Sequence, residues 1–280
     1  MTIREYKRIS GQILFYLAVA FFILFALFPY IWTGLTSLKP ENELFTKGVH
    51  YLPKQVVFEN YVNLFQRLRF QKYFGSSLIV AVSTTCVALV ISSLAGYAFS
   101  RFRFNLRATL MVVFVLTNMF PKILLIIPLF MIFRQVSLLN SYSGLVLAHC
   151  TFTIPFATWM LTGFFDSIPR ELEEAAVVDG ATRTKAFLIV TLPLAARSLA
   201  ATAVYIFIHS WNDYLYAVMF TSSEALRTLP IALKMFIGKY EVDWGALTAG
   251  GIVTSVPLVV FFMLVQRYLI AGLTAGAVKQ

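Results

Sequence analysis

Three carboxylates, Glu171, Glu173 and Glu174, crowd into the start of the stretch PRELEEAAVVDGATRTKAFLIVTLP, Pro169–Pro193. Clustered acids can exchange protons when a pocket encloses them. These three lie outside the apolar segments with no pocket evident, which favours a solvated helix start over acid–base catalysis. A second set, Trp211, Asn212, Asp213 and Tyr214, places polar and aromatic groups within an otherwise apolar run. Indole and phenol rings stack on apolar faces, while amides and carboxylates bind hydroxyls, which is the chemistry of a polyhydroxylated ligand. The competing reading is an aromatic belt with one satisfied hydrogen bond between helices. A third set is Thr117-Asn118-Met119-Phe120-Pro121-Lys122. A lysine at the centre of a membrane span costs roughly 2.5–3.5 kcal/mol. Either Lys122 reaches the surface, or the proline kink lines a gated pathway in which Asn118 would also take part.

Other chemistry is missing from the sequence. It contains no GxxxxGK(S/T) phosphate loop, no HExxH and no GxSxG. His50, His149 and His209 lack metal-ligand spacing, so no metal site is expected. The formal charge of +10 is spread along the chain, with no basic run interleaved with aromatics, so nucleic acid is not an expected partner. Cys86 and Cys150 fall within apolar runs and read as small core residues rather than a disulfide.

The elements that carry these groups must be membrane helices. The 280 residues are 59% hydrophobic and 13% charged, unlike a soluble domain. A span takes about 20 mainly apolar residues. Windows of that kind occur at 12–35, 76–99, 108–133, 141–165, 198–220 and 245–266. The expected fold is therefore an all-α membrane protein of six transmembrane helices, forming one domain over 1–280. Arg4, Lys7 and Arg8 precede the first apolar run, which continues to Leu35 and so reads as an uncleaved helix. The segments 1–11, 100–107, 166–197 and 266–280 are marginally richer in Lys and Arg than 36–75, 134–141 and 221–245. This puts both termini on the cytoplasmic side. Helix two, rich in Ser, Thr, Ala and Gly96, suits close packing in lipid. Residues 58–65 have helical apolar spacing and either lie flat at the outer interface or meet an outer partner.

Within 166–197 the pattern is helix, glycine turn, helix. Pro169 suits a first helical turn. The glutamates favour the positive helix end. Leu172, Ala175 and Ala176 make a narrow apolar face. Gly180 accepts a left-handed stop, and Thr182 caps a second helix running through Phe187 toward Leu192. The unit is either an amphipathic loop or a docking element for a soluble partner. The closing residues 266–280, rich in Gly and Ala, make a poor helix.

The run Glu174-Ala175-Ala176, Asp179-Gly180-Ala181, Phe187 and Leu192-Pro193 resembles the EAA loop of permease subunits of ABC importers. Trp211-Asn212-Asp213, Thr228-Leu229-Pro230, Asp243-Trp244-Gly245 and the tail Gln266-Arg267-Tyr268 with Gly272–Lys279 resemble the carbohydrate-uptake, maltose-type subfamily. The resemblance implies a cytoplasmic coupling helix between helices four and five. It implies that Glu174, Ala175, Ala176, Asp179, Gly180 and Ala181 meet an ATPase subunit, and that Gly276, Ala277, Val278 and Lys279 reach between two such subunits. Gln280 stands where the family commonly has Gly. Further implications are a homologous second permease forming a heterodimer with this one, an ATPase dimer, and an extracytoplasmic solute-binding protein. ATP and Mg would be bound by the ATPase, with no cofactor in this chain. The setting is a prokaryotic inner membrane, and the work is uptake of a sugar or oligosaccharide by alternating access. In maltose-type systems the sugar site lies mainly in the other permease. An ion-coupled secondary transporter is the alternative, with Asp213 as its one candidate coupling acid.

Overall fold

The computed structural model describes residues 3–46, 48, 50–66, 69–238 and 240–276. Among them every regular element is helical. In chain order these are α1 (Ile3–Ser37), α2 (Glu41–Leu44), α3 (Glu59–Gln66), α4 (Phe70–Arg101), α5 (Arg107–Met119), α6 (Lys122–Gln135) and α7 (Tyr142–Asp166). There follow α8 (Glu171–Val178), α9 (Arg183–Ala186), a π-helical turn (Phe187–Thr191), α10 (Leu192–Leu194), α11 (Ala196–Trp211), α12 (Leu215–Phe220), α13 (Leu229–Met235) and α14 (Trp244–Gly276). Four helices are long and apolar enough to cross a membrane, or six if each of two bent pairs is one span. The helical backbone satisfies its own polar groups, which lipid demands.

The expected span 108–133 is two helices, α5 and α6, meeting at 105°. Pro121 has no N–H to continue the ladder, and Phe120 before it is extended at ψ 130°. The second bent pair is Arg183–Leu194 with Ala196–Trp211, at 76°. The expected span 198–220 is interrupted too: α11 ends at Trp211 and α12 starts at Leu215. Asp213 lies in the break, its Oδ2 accepting from the backbone N–H of Tyr216 at 2.9 Å and Ala217 at 3.4 Å at the start of α12. At the C-terminal end, the small residues expected to make a poor helix instead continue α14 to Gly276.

Contacts divide the chain into two compact units. One comprises the described residues up to Phe70 together with Leu233–Val256. Its centre is polar: Asn60 Nδ2 donates to the carbonyls of Ser37 at 2.8 Å and Lys39 at 3.0 Å, and Ser37 and Tyr61 share a hydroxyl hydrogen bond at 2.7 Å. Gly245 leaves room for the Asn60 amide, which a Cβ there would displace from these carbonyls.

The other unit comprises Gln71–Ala232 and the described residues from Pro257. Its core is three apolar clusters. Val80, Ile126, Phe133, Leu145, Phe152, Tyr216 and Phe220 form the first. Ala88, Val146, Cys150, Ala157 and Ile206 form the second. Leu161, Phe165, Phe187 and Ala195 form the third. Small residues in α4 let α7 approach closely, as their sequence suggests. A Cβ on Gly96 would lie 3.1 Å from Leu161 Cβ and 3.2 Å from the Thr162 nitrogen. The hydroxyls of Thr85, Ser92 and Ser93 bond back to carbonyls four residues earlier, which hides their polarity inside α4. Cys150 is buried as expected, whereas Cys86 lies exposed on α4 and is no core residue.

Candidate functional site: a clamped helix

The third cluster ends against α8, and local sequence explains the shape of α8. Pro169 precedes the helix rather than opening it; Arg170 is the N-cap, and its carbonyl accepts from Glu173 and Glu174, each at 3.0 Å. Glu171, Glu173 and Glu174 occupy the first turn, where carboxylates meet the positive helix end. Gly180 has φ +90°. The N–H of Gly180 bonds the Val177 carbonyl at 3.0 Å, and that of Ala181 bonds the Ala176 carbonyl at 2.9 Å. This is the paired closure that a left-handed glycine makes possible. Thr182 then caps α9, accepting from the Lys185 N–H at 3.3 Å. The expected second helix does run toward Leu192, but through a π-helical turn. That turn sets Phe187 against Tyr97, ring centroids 4.5 Å apart, and Phe165, 6.2 Å apart.

The narrow apolar face of α8 is not the face that the fold buries. Leu172, Val177 and Val178 are exposed, Val178 to 86%. Glu173 is buried instead, so the reading of all three glutamates as solvated fails at this residue. Arg101, at the end of α4, donates through Nε to Glu173 Oε1 at 2.7 Å, and Tyr97 donates to Oε2 at 2.8 Å. The paired side chains retain only 8% and 11% of their surface. Arg101 also donates to the Phe165 carbonyl at 3.0 Å, to the Ile168 carbonyl at 3.1 Å and to Ser100 Oγ at 3.1 Å. Ser100 Oγ donates to Asp166 at 2.7 Å, and Arg170 donates to the Ser100 carbonyl at 2.8 Å. Burial alone would raise the Glu173 pKa. The Thr191 hydroxyl, which falls short of a full hydrogen bond by geometry, together with Tyr97 and Arg101 outweighs it and holds the carboxyl below its usual range. Beside this network is an open cavity of about 400 Å³, lined in part by Arg101, Phe102, Arg170, Glu174 and Arg183.

The sequence expectations divide here. Glu174, Ala175, Asp179 and Gly180 are exposed, with Ala176 and Ala181 half-buried. Gly276 closes α14, while Ala277, Val278 and Lys279 lie outside the described residues. Trp211 is buried, stacked on Phe207 with ring centroids 5.6 Å apart and edge-on to Phe74 at 5.9 Å, so its indole is packing rather than a stacking platform. Asp213 is a helix cap. Asn212 and Tyr214 are exposed, and Asn118 is exposed with its amide donating to the Phe114 carbonyl at 3.2 Å. Sequence reasoning missed one grouping and left one undecided. It gave Arg101 no partner, although its place in the basic loop SRFRFNLR was visible. It left Lys122 open between surface and pathway; the Lys122 ammonium is half-buried, 3.5 Å from His209 Nδ1 and 5.8 Å from the centre of the Phe152 ring. Among the described residues no group of three His, Cys, Asp or Glu could hold a metal.

A bundle of bent and straight membrane helices that presents a short, acid-started helix at one end is the architecture of a transport permease. Residues 88–274 match the family described as binding-protein-dependent transport system inner membrane component, and the chain belongs to it. It is 36% identical to the sulfoquinovosyl glycerol transport system permease protein SmoH of Agrobacterium fabrum, across 96% of this chain and 95% of that one. It is 39% identical to the trehalose transport system permease protein SugB of Mycobacterium tuberculosis, across 91% and 93%. In fold it resembles a bacterial ABC transporter involved in import of the acidic polysaccharide alginate, with a TM-score of 0.78 at 24% identity, across 94% of this chain and 97% of that chain. The chain is thus a multi-pass, non-catalytic permease subunit of a binding-protein-dependent importer, in which ATP hydrolysis belongs to a separate subunit. The ion-coupled alternative gives way to this assignment.

Proposed function

We propose that this permease carries a sugar or oligosaccharide across a prokaryotic inner membrane, driven by an ATPase dimer that docks on α8. The carrying observation is the inverted face of α8: its acid Glu173 is buried while Leu172, Val177, Val178 and Glu174 point away from the protein. Exposed apolar side chains beside an exposed carboxylate suit a protein partner. Ala175 and Ala176 keep the contact thin, and Glu174 meets a basic group of the ATPase. The tail Gly276–Lys279 extends the same contact. ATP and Mg are bound by that partner. A homologous second permease completes the pathway as a heterodimer, an extracytoplasmic binding protein delivers the solute, and both termini lie in the cytoplasm. The names of the two curated relatives, one for a sulfonated sugar glycoside and one for trehalose, support the solute class. Closure of the ATPase dimer moves α8, and the attached spans follow to open the pathway outward. Asn118, Asn212 and Tyr214 remain the exposed candidates to line it; Trp211 does not.

The test replaces Glu174 by Lys or Gly180 by Pro. Uptake is lost in both variants, and ATP hydrolysis in the assembled complex no longer responds to the binding protein, while the chain still inserts. Normal uptake in either variant overturns the docking role of α8.

A further inference from the structure

We propose that Arg101 is the joint through which α8 moves the membrane helices, with Glu173 as its partner, so that work passes across an ion pair as well as along the chain. This rests on the reading of α8 as the ATPase-docking helix. Covalently, α8 joins α7 through residues 167–170, and the π-helical turn leads it into α11. Neither path joins α8 to α4 directly: α4 ends 69 residues before Arg170 in sequence and reaches α8 along the chain only through its packing on α7. Arg101 makes that link. One guanidinium is shared among the Glu173 carboxylate on α8, the Phe165 carbonyl at the end of α7 and the Ile168 carbonyl in the connecting turn.

The geometry suits force transmission better than simple attachment. Arginine presents its donors in a rigid planar fork, so the three acceptors are fixed relative to one another. Neighbours over-determine the arrangement: Ser100 holds Asp166, Arg170 holds the Ser100 carbonyl, and Tyr97 takes the second oxygen of Glu173. Apolar packing does not do this for α8, whose larger apolar side chains Leu172, Val177 and Val178 are exposed. Without the ion pair α8 would keep its docking surface and be held to α4 only by the weaker Tyr97–Glu173 and Arg170–Ser100 hydrogen bonds. Arg101 and Glu173 are positioning residues: they touch neither ATP nor solute.

The experiment reads the joint directly. Cysteines replace Val178 on α8 and Val90 on α4, both exposed, in a Cys86→Ser background. They carry spin labels, and distances are measured by pulsed electron paramagnetic resonance. The permease is studied alone and in its complex, with and without Mg-ATP and vanadate. The native protein gives one narrow distance in every state. In Glu173→Gln, a detached population rises about tenfold, the scale set by loss of a charge-assisted hydrogen bond. Arg101→Lys keeps the charge but not the fork, and gives an intermediate population. The complex still forms and hydrolyses ATP in both variants, but trapping with vanadate moves α8 without α4. Native distances in both variants overturn the proposal. If a variant fails to assemble, the distance in the permease alone decides by the same criterion. A Glu174→Lys control that still assembles and responds to vanadate normally would instead overturn the docking reading and leave the joint standing.

Discussion

Glu173 and Glu174 are adjacent in one helical turn, and the fold treats them oppositely: one is sealed against Arg101 and the other faces outward. Breaking a buried pair by removing one partner leaves an unsatisfied charge and costs about 3–5 kcal/mol. Arg101→Ala is therefore expected to lower thermal stability in detergent far more than Arg103→Ala, whose side chain is exposed. A pH series checks the same pair. The folded Glu173 carboxyl titrates below its ordinary value of 4.5. Its contribution to stability is therefore fully present above that value and is lost as pH falls through the lower folded value. The stability gap between native protein and Glu173→Gln stays constant from neutral pH down to the ordinary carboxylate range and closes below it. A gap that closes at higher pH would mean that the carboxyl is not held in its charged form. None of this was legible from spacing along α8. Helical periodicity sorts residues by hydropathy, and it put Leu172 on a narrow apolar face and all three glutamates on a solvated one. What buries Glu173 is an arginine 72 residues away, and pairing at that range leaves no local trace.

At the scale of elements the sequence was more informative where covalent chemistry decides the backbone. Proline's missing N–H divides α5 from α6, and the glycine at 180 ends α8 with φ +90°. Both positions were readable as a kink and a stop. The division of α11 from α12 was not, because a side-chain cap by Asp213 looks in sequence like any acid in a span. The glycines allow a sharper comparison. Around Gly180 nothing lies within 4 Å of an added Cβ, so Gly180→Ala meets only the strain of a left-handed backbone, about 1–2 kcal/mol. At Gly96 the backbone is ordinary helix but the added atom meets α7 at 3.1–3.3 Å. There, Gly96→Ala requires α7 to give by a few tenths of an ångström, and overpacking of a tight core costs about 1–3 kcal/mol. Gly180→Ala is thus expected to shift the α8 turn locally with spans intact. Gly96→Leu is expected to prevent correct packing of α4 on α7, seen as protease sensitivity of the loop 102–106 in detergent. Equal tolerance at both glycines would deny the close approach.

For the whole molecule, orientation in the membrane follows from how the second unit gathers charge. Along the chain the basic residues barely favour one side. In three dimensions, Arg101 contacts Glu173, and Arg107 pairs with Asp166 at 3.7 Å, so the loops 102–106 and 167–186 share one end. That end carries Arg101, Arg103, Arg107, Arg170, Arg183 and Lys185. At another end Asn140 accepts from the N–H groups of Ser222 and Ser223, and Tyr73 donates to Glu224. Within this unit, Lys72, Arg134 and Arg227 are the basic residues close to it in sequence. Lys and Arg near span ends favour the cytoplasm, so the α8 end is expected to face inward, as the proposed docking of an ATPase requires. A single cysteine at Val178 in a Cys86→Ser background is expected to react with a membrane-impermeant maleimide only in inside-out vesicles. One at Ser222, also exposed, reacts only on intact spheroplasts. The reverse pattern would put α8 on the outer surface, beyond reach of any cytoplasmic ATPase. The coupling role proposed for the helix would fall with it, whatever the strength of the Arg101–Glu173 clamp.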